Sequence, residues 1–109
     1  MSYPYLPIIS VLNYHPSEGN AGVPIFVQLY FYYPTREQIY LRLNIGWTAV
    51  TTQVSKISEK YHRYHLRATI PHRMRYLKVA LSIEVVDSQN NVLHSVFVGY
   101  FTYKEPDIP

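Results

Sequence analysis

Apolar and polar residues alternate along most of this chain in short runs, broken by proline, glycine and asparagine. The first run, Ile8 to Tyr14, lies between Pro7 and Pro16. After a turn segment holding Gly19 and Gly22, the alternation from Val23 to Tyr32 is clean. Val23, Ile25, Val27, Leu29 and Phe31 predict one face turned to a core, and Phe26, Gln28, Tyr30 and Tyr32 one turned away. Ile39, Leu41, Leu43 and Ile45 predict a third inward set, opposed by Tyr40, Arg42 and Asn44. Gly46 ends that run, Trp47 to Val54 predicts a fourth strand, and polar Ser55 to Lys60 predicts a loop. From Tyr61 to Ile70, Tyr64, Leu66, Ala68 and Ile70 point in, while Arg63, His65, Arg67 and Thr69 point out. Val79, Leu81, Ile83 and Val85 mark a sixth strand, Asp87 to Asn91 a hairpin turn, and Val92 to Tyr103 the last strand. Gly99 inside it predicts a bulge or a close backbone contact.

Strands at this spacing, with turn signals every 8–12 residues or so, predict an all-β immunoglobulin-like β-sandwich of about seven strands. The 109 residues make one domain, 1–109, with its core over about 7–103 and a tail over 104–109. No helical periodicity outlasts a turn, and no internal repeat is present.

Composition narrows the function. With no cysteine, a disulfide scaffold, a thiolate zinc site and a cysteine nucleophile are all excluded. The chain is 48% hydrophobic and 16% charged, which excludes a disordered segment. Its apolar runs are only a few residues long, so neither a membrane span nor a signal-peptide core is expected. The lack of cysteine fits a reducing, intracellular compartment. Net charge is +3, but seven bases from Lys56 to Lys78 face one acid, Glu59, which leaves that segment at +6 and the remainder at −3. Such asymmetry points to an acidic partner.

Catalytic motifs are missing: there is no GxGxxG, GxxxxGK[ST], GxSxG or HExxH. His62 and His65 stand three apart, which on a strand predicts opposite faces and no shared metal ion. Glu84, alone in an apolar strand, is expected to face water. No enzyme activity, cofactor, metal or small-molecule substrate is therefore expected.

Two surfaces remain. Arg63, His65 and Arg67 recur every second residue, a comb with teeth about 6.7 Å apart that Arg73, Arg75 and Lys78 extend. Cations so placed suit backbone phosphates of DNA, and the competing reading is a solvated outer face. The second surface is aromatic: Phe26, Tyr30 and Tyr32 from one strand beside Tyr40 and Arg42 from the next. Rigid amphipathic rings and arginine suit an interface, with a covering loop or a sugar platform as alternatives.

Specific residues then suggest a family. Pro7-Ile-Ile-Ser-Val-Leu-Asn-Tyr14, Pro16-Ser-Glu-Gly19, Gly22 and the Val23–Val27 strand resemble the start of an IPT/TIG domain, the immunoglobulin-like module of Rel-type and other transcription factors. Leu41-Arg-Leu-Asn-Ile-Gly-Trp-Thr-Ala-Val50 and Leu66-Arg-Ala-Thr-Ile-Pro71 resemble its middle strands. Val85-Val-Asp-Ser-Gln-Asn-Asn-Val-Leu93 and Val98-Gly-Tyr-Phe-Thr-Tyr103 are similar to its closing hairpin. The whole is most similar to fungal developmental regulators of the Medusa type. A run of Tyr30-Phe-Tyr-Tyr33 stands where many members place a glycine. The resemblance implies a nuclear transcription regulator, with this module serving as a homodimer contact or as a contact to another transcription factor. It also implies auxiliary contact with the DNA backbone.

Overall fold

A strand whose sides alternate between apolar and polar is satisfied between a core and solvent, and two facing sheets supply that setting. The computed structural model describes residues 7–35, 37–72 and 78–104. Its strands are β1 (Ile8–His15), β2 (Glu18–Gly19), β3 (Pro24–Tyr32), β4 (Ile39–Ile45), β5 (Thr48–Ala49), β6 (Gln53–Ser58), β7 (Arg63–Thr69), β8 (Lys78–Asp87) and β9 (Val92–Tyr103). No helix occurs among the described residues. One sheet has the order β1-β3-β7-β6 and the other β2-β9-β8-β4-β5. All neighbours run antiparallel except β2, which lies parallel to the end of β9.

The core sits between the sheets. Ile25, Val27, Leu29 and Phe31 of β3 with Leu66 and Ala68 of β7 face Leu41, Leu43 and Ile45 of β4, Val79, Leu81, Ile83 and Val85 of β8, and Phe101 of β9. Apart from Phe101, these belong to the inward sets that alternation marks out. Burying such a side chain fully contributes roughly 1.5–3 kcal/mol, so both sheets depend on the contact.

Three elements differ from the sequence expectation. Trp47–Val54 is not one strand: β5 is a two-residue return from β4, and residues 50–52 then carry the chain over to the other sheet. Gly46 and Trp47 turn it with φ of 60° and 71°, the left-handed pair that a two-residue hairpin needs. The expected loop at Ser55–Lys60 is instead largely strand β6. It is an edge strand with an almost wholly exposed side-chain pattern, so no buried face imposes an alternation. Glu18–Gly19, inside the expected first turn, forms β2.

Two other expectations hold. Asp87 closes the β8–β9 turn, where its N–H donates to the Asn91 carbonyl and its carboxylate accepts from the N–H groups of Gln89 and Asn91. At Gly99 the register of β8 against β9 shifts, and the Tyr14 ring comes so close that a Cβ would lie 2.5 Å from its hydroxyl oxygen. That hydroxyl donates to the Tyr100 carbonyl at 2.9 Å and accepts from the Tyr100 N–H at 3.2 Å, pinning β1 of one sheet to β9 of the other.

Candidate functional site

Alternation along β3 and β7 does more than build the core, because the register fixes which outward side chains become neighbours. Across the pair, Phe26 lies opposite Arg67, Gln28 opposite His65 and Tyr30 opposite Arg63. On its other side β3 sets Phe26 beside His15, Gln28 beside Asn13 and Tyr30 beside Ser10. Gln53, Ser55 and Ser58 of β6 complete the rows beyond β7. The aromatic set and the basic comb, two separate surfaces in the sequence, therefore share the outer face of the four-stranded sheet.

The contacts across that face are specific. The Phe26 ring stacks on His65 with centroids 5.4 Å apart and planes 23° apart, and lies 5.3 Å from His15. The Arg67 guanidinium sits 5.9 Å above Phe26 and donates to Gln53 Oε1 at 3.4 Å. Asn13 Nδ2 donates to Gln28 Oε1 at 3.2 Å. His62 lies 4.9 Å from the Tyr32 ring and edge-on to Tyr30 at 5.8 Å. Among the described residues, the outward positions of these strands hold no Asp or Glu, and Glu59, in the turn before β7, lies 3.7 Å from Lys56.

Three sequence expectations about these two surfaces are corrected. His62 and His65 do not point to opposite faces. His62 takes a φ of 54° in the turn before β7, which breaks the alternation and brings its ring over the same outer face. The outward sets of β3 and β4 are not strand neighbours either, although Tyr32, at the end of β3, lines one cleft with Tyr40 and Arg42. Consecutive strands fall in different sheets, so Tyr40 and Arg42 belong to the outer face of the five-stranded sheet, across the core from Tyr30. Lys78 leaves the comb for the same reason: it begins β8, and its Nζ sits 4.6 Å from the Tyr100 ring centroid. Arg73 and Arg75 lie outside the described residues.

Glu84 does not face water alone. Its Oε1 accepts from Arg42 Nη2 at 2.7 Å and from Nε at 3.0 Å, with the two side chains only 18% and 25% exposed. Burial pushes the Glu84 pKa up, but the bonds from Arg42 and Asn44 and the guanidinium charge outweigh it and leave the pKa below the ordinary value. The third guanidinium nitrogen, Nη1, donates to Asn90 Oδ1 at 2.7 Å. Asp87 is likewise lowered, chiefly by the Asn91 backbone N–H. Arg42 is thereby committed to holding β4, β8 and the β8–β9 turn together.

Other features escaped the sequence reading. His15 and His62 join the face only through β1–β3 pairing and a left-handed turn, which no local pattern announces. Trp47, at the tip of the β4–β5 turn, is 94% exposed. Phe97 and Tyr100 form an exposed pair 5.1 Å apart on the five-stranded sheet. Between the sheets, where β3 ends and β4 begins, lies a cleft of about 780 Å³ whose lining runs from buried Phe31, Leu41 and Val86 to exposed Tyr32, Tyr40 and Asn90. No three His, Asp or Glu side chains among the described residues gather closely enough to hold a metal ion.

Comparison with protein-family models, curated proteins and solved structures gives no match. What the molecule does must be argued from this face.

Proposed function

We propose that the chain is a non-catalytic, immunoglobulin-like module that binds nucleic acid through the outer face of its four-stranded sheet, within a nuclear transcription regulator of the kind its sequence resembles. The strand orders support the architecture. Reading β1, β3, β7 and β6 as strands A, B, E and D, and β9, β8 and β4 as G, F and C, reproduces the two sheets of an immunoglobulin sandwich.

The observation that carries the function is the register between β3 and β7. It sets Arg63 and Arg67 on a face with aromatic rings and no described acid. A polyanion rewards that arrangement, because each neutralised phosphate releases counterions. Self-association through the same face is the weaker reading. A two-fold axis would set strand rows bearing two arginines and, among the described residues, no acid against their own copy, and like charge opposes that contact.

The test is binding of fluorescent oligonucleotides of unrelated sequence as salt is varied. Wild type is expected to bind all of them weakly, with affinity falling steeply with salt. Arg63→Ala with Arg67→Ala should lower affinity alike for every sequence, by about tenfold, and flatten the salt slope by about two units. A double variant that binds as wild type does, or a wild type that fails to bind at low salt, removes the reading.

A further inference from the structure

We infer that the nucleic acid this face accepts is single-stranded, with its backbone along β7 and its bases stacked on the rings of β3; the inference rests on the nucleic-acid reading above. A duplex offers a flat protein face mainly phosphates, its bases being stacked inside, so arginines alone would serve it. This face holds more than arginines. Tyr30 and Tyr32 are successive outward residues of β3, roughly 6.7 Å apart along the strand. Tyr32 is 38% exposed, and His62 abuts both rings.

The cations overlap this row at one end, with Arg63 beside Tyr30 and Arg67 further back beside Phe26. Arg63 and Arg67 lie on the adjacent strand, roughly 4.8 Å away, and Arg63 is directly opposite Tyr30. A row of positive charge beside a row of rings is the division a single strand needs, since each unpaired base has a free π-face and each linkage one negative charge. Gln28, between Phe26 and Tyr30 on the same strand, has its carbonyl held by Asn13, which leaves the orientation of its amide set for a base edge. Stacking tolerates any base, so broad sequence acceptance is expected.

The other surfaces carry less. The cleft between the sheets has its main polar groups, Arg42, Asp87 and Asn90, engaged with one another or with the turn. Trp47 projects from a turn with nothing to indicate what would cover it.

The experiment compares one mixed-sequence oligonucleotide of about a dozen nucleotides, single-stranded and as a duplex, by fluorescence anisotropy at low salt. The single strand is expected to bind about tenfold more tightly, and Tyr30→Leu or Tyr32→Leu to weaken it about tenfold while leaving duplex binding unchanged. Tyr32→Phe keeps the ring and should bind as wild type. Photocrosslinking of the unaltered protein to a bromouridine-substituted strand reads the same contact without a substitution, and the adduct is expected on β3.

A duplex bound as tightly as its single strand, ring variants without effect, or an adduct on β8 or β9 overturns the inference. Should the arginine variants still lower affinity in that case, the backbone reading stands and only the strandedness falls. If neither form binds, both fall together.

Discussion

Phe101→Ala is expected to destabilise the domain by about 3–5 kcal/mol, the largest effect of any single truncation in the chain. Phe101 has no exposed surface and heads the fully buried side chains by volume. Its ring meets Tyr103 edge-on at 5.3 Å, and its Cζ lies 3.5 Å from where a Cβ on Gly19 would stand. One wall of the space is therefore the backbone of β2, which is bonded to β9 and cannot collapse inward as a side chain would. The cavity stays open, so both the transfer loss and the cavity loss apply. Set against the roughly 5–15 kcal/mol that holds a typical domain folded, the variant is close to the threshold. Urea unfolding measures it, and a loss below about 1 kcal/mol would mean the ring is not packed as described.

Gly99→Ala is expected to cost about 2 kcal/mol, and that cost should depend on Tyr14. A Cβ at residue 99 would lie 2.5 Å from the Tyr14 Oη, 2.7 Å from Cε1 and 2.8 Å from Cζ. The ring must retreat, and both of its hydrogen bonds to the Tyr100 backbone are lost with it. Backbone conformation is not the obstacle, since Gly99 is not among the positive-φ glycines. Once the ring is gone the clash goes too. In a Tyr14→Ala background the same change should be nearly neutral, giving a coupling of about 2 kcal/mol in a double-mutant cycle. Additive losses would contradict the contact.

Where alternation is enforced by a buried face, the sequence alone suffices. Ile25, Val27, Leu29 and Phe31 are inward because any one-residue slip would expose all four, and the same holds for Leu41, Leu43 and Ile45. Strand β6 was illegible because an exposed edge strand is held by backbone bonds to β7, which constrain no side chain. The site was half legible. The outward residues of β3 and β7 could be assigned from their own strands, whereas His15, His62 and the residues of β6 could not. Which outward rows become neighbours depends on strand order, and β3 and β4, consecutive in the chain, fall in different sheets. Hence Tyr40 looked like a neighbour of Tyr30 when Arg63 is its true one. Conformation at single positions, such as φ of 54° at His62, was equally out of reach, since a histidine rarely adopts it and nothing nearby signals it.

Nucleic acid is expected to meet one sheet face and not the other. Amide resonances followed while a short single-stranded oligonucleotide is titrated in report on every residue at once. The expected shifts lie on β3 and β7, at Phe26, Gln28, Tyr30 and Tyr32 and at Arg63, His65 and Arg67, with Tyr40, Arg42, Glu84 and Ser82 across the core unmoved. Shifts confined to β4, β8 and β9, or none at low salt, would contradict it.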